Sequence, residues 1–161
     1  MRNKKLLYLD MDGVVADFEK SVELLQPGIF NLPEEIRGIS IDKICEKNPD
    51  VFLHLEPIKD SIEHVHKLFD SNLFDIYFLS TPMWIVPSSF TDKRIWIEKH
   101  FDHKCLKRLI LLHRKDLNLG DFLVDDRLTN GSESFTGYHI HFGTELFPDW
   151  KTTYDFLILN A

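Results

Sequence analysis

Four aspartates, two adjacent hydroxyls and one lysine are the residues of this chain whose types and spacing can do chemistry. Asp10 and Asp12 stand one residue apart after the apolar run Leu6-Leu7-Tyr8-Leu9, and Gly13 follows them. Carboxylates so close repel each other unless a cation or a shared proton intervenes. Gly13 supplies either positive φ or room for something bulky to approach the backbone. Further on, Ser80-Thr81 ends a second apolar run, Lys115 follows a third, and Asp125-Asp126 ends a fourth. Taken alone, the Asp10 turn also reads as an ordinary acidic strand end, because Asp commonly opens turns and caps helices. The sharper reading is a hard-cation site in which Asp10 is also a nucleophile, and the distant residues decide between the two.

The elements that must position these groups follow from the apolar pattern. A short unbroken apolar run suits a strand buried on both faces, as in a parallel sheet, and ligands sit at the carboxyl ends of such strands. Strands are predicted at 6–9, 74–79, 108–112 and 122–124, with an alternating edge strand at 138–142. Helical spacing appears at Phe18, Val22 and Leu25, which Gln26-Pro27-Gly28 stops, and again at Ile62, Val65 and Phe69, where Asp60 and Glu63 have capping-box spacing. Thr91 or Asp92 is the expected cap of a helix carrying Ile95, Trp96 and Phe101, and a last helix runs from Trp150. Strands alternating with helices indicate an α/β fold with a doubly wound parallel sheet. Right-handed crossovers place the strand ends at one rim, which collects Asp10, Asp12, Ser80, Thr81, Lys115, Asp125 and Asp126. The proline-punctuated stretch 17–57 has no convincing strand and reads as a small helical cap inserted after the first strand, with the core in 1–16 and 58–161. Emerging at the same rim, it is placed to act as a lid.

Composition narrows the class. With 161 residues, 43% of them hydrophobic, the chain fills one core and little more. A formal charge of −7 and a pI near 5.6 argue against general attraction to nucleic acid or anionic membranes, so a phosphate-bearing substrate must be met by local positive charge or a metal. Cys45 and Cys105 imply no disulfide framework and are expected as reduced thiols. The basic start Met1 to Lys5 leads into an apolar run that Asp10 interrupts too soon for a signal peptide, and no stretch approaches the ~20 apolar residues of a membrane span. A cytoplasmic protein is expected, with a homodimer left open.

Carboxylates with a lysine and two hydroxyls are the set that metal-assisted phosphoryl transfer requires. Mg²⁺ prefers carboxylate oxygen together with substrate phosphate, an aspartate can form an aspartyl-phosphate, and lysine and serine stabilise the phosphoryl oxygens. Asp10-Met11-Asp12-Gly13-Val14, Ser80, Lys115 and Asp125-Asp126 resemble the four motifs of the haloacid dehalogenase superfamily. Four longer segments, beginning at Asp10, Phe52, Arg94 and Gly120, are similar to the 5′(3′)-deoxyribonucleotidases and run in the same order. The resemblance implies a magnesium-dependent phosphatase acting on nucleoside monophosphates. It makes Asp10 nucleophile and metal ligand, and Asp12 the general acid/base whose backbone carbonyl also meets the metal. Ser80, Thr81 and Lys115 become the phosphoryl-binding groups, Asp126 the third metal ligand with Asp125 supporting it, and Phe18 a residue that packs on the nucleobase.

The chain departs from the animal enzymes in a shorter lid, in Ile39 where they carry a second aromatic residue for the base, and in the order Ser80-Thr81. The alternatives are a phosphatase of another small metabolite on the same centre, or a non-enzymatic phospholigand sensor. Dehalogenation is disfavoured because a halide needs no acid at Asp12. Elsewhere, His139 and His141 read as structural, Trp84 either lines the substrate cleft or covers the core, and Lys93 and Arg94 are expected on a solvated helix face.

Overall fold

A computed structural model describes residues 4–161; Met1 to Asn3, part of the basic start read above, lie outside them. Five strands form one sheet in the order β3-β2-β1-β4-β5, with every pair parallel. They are β1 (Lys5–Leu9), β2 (Phe74–Ser80), β3 (Leu109–Leu111), β4 (Phe122–Asp125) and β5 (Tyr138–His141). The unbroken apolar run of β1 is at the centre, where Leu7 lies between Ile76 and Phe122, and Leu9 between Phe78 and Val124. Alternation then divides the core into two layers. Leu7, Leu9, Phe78 and Val124 pack against residues of α3 (Ser61–Ser71), α4 (Ser88–Phe101) and α5 (Trp150–Leu159), including Val65, Leu68, Trp96 and Leu157. Tyr8, Leu79 and Leu123 face the other way and pack with Phe135. That second layer is thin, because the chain between β3 and β5 carries only single 3₁₀ turns at Lys115–Leu117 and Ser132–Ser134 where helices would otherwise lie.

Residues between β1 and α3 form α1 (Phe18–Leu25), α2 (Glu34–Lys47) and two 3₁₀ turns, Ile29–Asn31 and Val51–Leu53. The Asp17 carboxylate accepts from the Lys20 amide at 3.0 Å and so caps α1, whose Phe18 and Val22 are buried while Leu25 is exposed. The two linkers run side by side: the Asp17 amide donates to the Glu56 carbonyl at 2.8 Å and the Ile58 amide to the Val15 carbonyl at 2.9 Å. Each linker is also held by a buried indole. Trp150 Nε1 donates to the Val14 carbonyl, and Trp96 Nε1 to the Leu55 carbonyl, both at 2.7 Å.

Two helix starts differ from expectation. Asp60 has a left-handed backbone, φ 62°, and its side chain caps nothing; Glu63 pairs with Lys67 instead, and Ser61 donates its hydroxyl to the Val15 carbonyl at 3.0 Å. The expected capping box is therefore absent, because Ser61 is drawn to the linker. Helix α4 begins at Ser88, ahead of Thr91 and Asp92, and the Ser89 hydroxyl closes the preceding loop by bonding the Met83 amide and carbonyl, each at 3.1 Å. Cys45 and Cys105 are free buried thiols, and no described helix is long and apolar enough to cross a membrane.

Because Val14 lies in the turn that carries Asp12, Trp150→Phe should remove the donor from a buried carbonyl at a cost of about 1–3 kcal/mol. Urea unfolding with an unchanged m value checks this, with a Tm drop of roughly 2–4 °C per kcal/mol. A variant as stable as the parent would show that the indole bond does not hold the linker.

Candidate active site

Asp10 is the first residue beyond β1, and its Oδ1 accepts from the Met11 amide at 2.7 Å. Lys115, buried to 2% exposure, reaches Asp10 Oδ2 at 2.9 Å and also pairs with Asp125 at the end of β4. The other Asp125 oxygen accepts from the Arg127 amide at 2.9 Å. Asp126 then packs against the opening turn at Gly13, where a Cβ would stand 2.1 Å from Asp126 Oδ2 and φ is +75°. Both needs that glycine can serve, a left-handed backbone and close approach, are thus met at one residue. The rim assembles as the parallel topology requires, with Asp10, Asp125 and Asp126 each offering an oxygen within 4.8 Å of the others.

The Asp12 carboxylate is not part of that cluster. Its Oδ2 pairs with Lys93 Nζ at 2.6 Å, and the same ammonium donates to Ser80 Oγ at 3.2 Å. Lys93 is fully buried, which corrects its expected place on a solvated face; Arg94 does lie outside, paired with Glu98. The signal was in the spacing: position 93 is three before Trp96 and four before Ile97, on the buried stripe of α4. A lysine on such a stripe must find a buried carboxylate.

The two hydroxyls divide in the same way. Ser80 is turned toward Lys93, whereas Thr81 lines the cleft and its buried Oγ1 has no partner among the described residues. The cleft has a volume of about 150 Å³. Its floor is formed by Asp10, Asp12, Lys115 and Asp125, and one wall by Phe18 and Phe52, stacked with ring centroids 5.4 Å apart. Phe52 is a further residue missed in the sequence, and Lys93 Nζ lies 5.0 Å from its ring centroid. Pro82, Met83, Arg127, Thr129 and Asn130 complete the lining, and the Asn130 carbonyl accepts from the Lys115 amide at 2.7 Å. No α2 residue lines it; Ile39 is exposed at 59%.

The family model described as 5′ nucleotidase, deoxy (Pyrimidine), cytosolic type C protein matches residues 4–147. This chain belongs to the 5′(3′)-deoxyribonucleotidase family. A Vibrio phage KVP40 relative, whose provisional name is 5′(3′)-deoxyribonucleotidase, is 39% identical over 96% of this chain and 85% of its own length. The human cytosolic-type 5′(3′)-deoxyribonucleotidase is 30% identical over 75% of this chain and 70% of its own. A haloacid dehalogenase-like hydrolase from Xanthomonas campestris superposes with a TM-score of 0.52 at 12% identity, covering 86% of this chain and 82% of that one, which shows the shared fold.

In this deoxyribonucleotidase-family site the carboxylates repel one another, a repulsion that a cation would relieve. Burial, then the charge of Asp10, pushes the Asp125 carboxyl up to about 6. The same two causes, in the same order, push Asp126 up to about 7, and its buried Oδ1 has no partner among the described residues. For Lys115 burial pulls the other way, yet Asp10 and Asp125 hold its ammonium above the ordinary lysine value. Buried, mutually repelling oxygen donors beside an open cleft fit a hard divalent cation.

The sign of the Asp126 effect gives a test. A carboxyl raised in the folded state costs stability as pH climbs from its unfolded value through its folded one, near 7. In EDTA, Asp126→Asn should therefore melt above the parent, with the gap widening between about pH 4 and about pH 7. Mg²⁺ should raise the parent's Tm and leave the variant's nearly unmoved. An equal Mg²⁺ response in both proteins would remove Asp126 from the metal site.

Proposed function

We propose that this chain hydrolyses 5′(3′)-(deoxy)ribonucleoside monophosphates to nucleoside and phosphate, through an aspartyl-phosphate on Asp10 and with Mg²⁺ as cofactor. The observation that carries the reading is the division of the two neighbouring carboxylates between two buried lysines: Asp10 with Lys115, and Asp12 with Lys93. Each carboxylate is thereby held to a different element, Asp10 toward β4 through Lys115 and Asp12 toward the end of β2 through Lys93, so that residues two apart can take different roles. Asp10 and Asp126, with the backbone carbonyl of Asp12, would hold the metal, and Asp125 would support them through Lys115. Bound there, Mg²⁺ supplies positive charge against the carboxylates and the substrate phosphate.

An Asp10 carboxylate oxygen attacks phosphorus, and the bond to the nucleoside oxygen breaks. Asp12, in its protonated form, gives that oxygen a proton; as a carboxylate it then takes one from the water that attacks the acyl phosphate. Hydrolysis restores Asp10 and releases phosphate. Lys115 and the Thr81 hydroxyl face the phosphoryl oxygens, and Ser80, which accepts from Lys93, keeps its own proton to donate. Phe18 and Phe52 give the nucleoside a flat apolar wall, and the 17–57 insertion acts as the lid that carries it. Residues 58–161 with 1–16 supply the phosphoryl chemistry.

A phosphate-release screen over nucleoside and deoxynucleoside monophosphates, with and without Mg²⁺, tests the activity. Turnover of sugar phosphates with nucleotides inert would reverse the reading. Within it, Asp12→Asn should slow nucleotide hydrolysis by ~10²–10⁴ and an activated aryl phosphate far less, because only the poor leaving group needs the proton. An equal deficit on both, in a folded variant with chemistry rate-limiting, would show that Asp12 is not the acid.

A further inference from the structure

Trp84 is 79% exposed, whereas Trp96 and Trp150 are buried at 0% and 1%. It therefore does not cover the core. The loop that carries it is nonetheless rigidly built: the Val86 amide donates to the Met83 carbonyl at 3.0 Å, the buried Ser89 hydroxyl bonds both polar groups of Met83, and Val86 is 1% exposed. A fixed turn thus presents a large amphipathic indole to solvent, the kind of side chain that binding surfaces favour.

Its place indicates what it meets. Pro82 and Met83, immediately before Trp84, line the catalytic cleft. The indole leans edge-on against His113, ring centroids 5.8 Å apart, and His113 lies two residues before the cleft lysine Lys115. Both rings of the pair accordingly belong to segments that form the cleft, although neither ring is among its lining groups. The cleft itself is small, about 150 Å³, so a nucleotide held there by its phosphate would extend beyond it toward the neighbouring surface. On the lid side, Phe18 already has one face against Phe52, and α2 adds nothing.

Resting on the nucleotide reading above, we propose that Trp84, backed by His113, is a base-stacking platform on the core side of the cleft. It is a specificity-determining residue that favours nucleoside monophosphates over base-free sugar phosphates. Stacking on an indole is tolerant of base identity, so the preference applies to purines and pyrimidines alike.

Two measurements test this, the first without turnover. Trp84 is the exposed one of the three tryptophans, so iodide should quench its fluorescence selectively, and Trp84→Phe should remove most of the quenchable signal. In the Asp10→Asn protein with Mg²⁺, a deoxynucleoside monophosphate should protect against iodide, while deoxyribose 5-phosphate at equal occupancy should not. In the active protein, Trp84→Ala should lower the ratio of kcat/KM for the nucleotide to that for deoxyribose 5-phosphate by roughly 5-fold or more, equivalent to ~1 kcal/mol at ~1.4 kcal/mol per tenfold, with Trp84→Phe recovering part of it. Nucleotide that binds, by calorimetry, without shielding Trp84, or a ratio unmoved by Trp84→Ala, overturns the platform while leaving the nucleotidase intact. Protection by deoxyribose 5-phosphate as strong as by nucleotide overturns it too, and points to loop ordering by phosphate. If the parent neither binds nor hydrolyses any nucleotide, the nucleotidase reading falls first and the platform falls with it.

Discussion

Mutual repulsion among buried carboxylates is the constraint on which the rest of this molecule depends. Asp10, Asp12, Asp125 and Asp126 are brought to one rim by the ends of two adjacent parallel strands, and left alone they would force the loops apart. Lys115 and Lys93 prevent that. Each lysine ties a carboxylate of the opening turn to a second element, Lys115 to Asp125 and Lys93 to Ser80. The site is partly self-neutralised, and the repulsion that remains falls most on Asp126, whose carboxyl is pushed up furthest although Arg127 Nε lies 3.6 Å from its Oδ2. Asp126 and Asp12 each also keep one buried oxygen without a partner among the described residues.

Holding such a cluster demands a rigid frame, and the frame is assembled from distant parts of the chain. Trp150, from the last helix, bonds the turn that carries Asp12; Trp96, one turn beyond Lys93 on α4, bonds the linker that returns from the insertion. Gly13 makes the closest contact. Any side chain there would occupy the space of the Asp126 carboxylate, so the turn after β1 and the end of β4 are fitted to each other at a single backbone position.

Much of this was legible in the sequence, and what was not has physical reasons. The central strand and the parallel order follow from unbroken apolar runs, and the rim set Asp10, Lys115, Asp125 and Asp126 follows from their strand-end positions. Lys93 was hidden by its residue type, since a lysine reads as surface even when the α4 stripe passes through it. The capping-box pattern at Asp60 was present, but local spacing does not reveal that Ser61 is engaged by Val15, 46 residues earlier. Whether Ser80 or Thr81 faces the cleft depends on which one Lys93 claims, so this too was unreadable until Lys93 was placed.

The paired linkers have a consequence of a different kind. Because Ala16 and Pro57 bridge directly, the chain enters and leaves the 17–57 stretch at nearly the same point. The closure of that loop is secured at its neck rather than by whatever fills it, and closure entropy grows only slowly with length. A change in the length of that loop should therefore cost little in closure entropy, provided that the neck and the core residues Phe18, Val22 and Phe52 are kept. In this architecture the neck, and not the content of the loop, fixes where the chain rejoins the core.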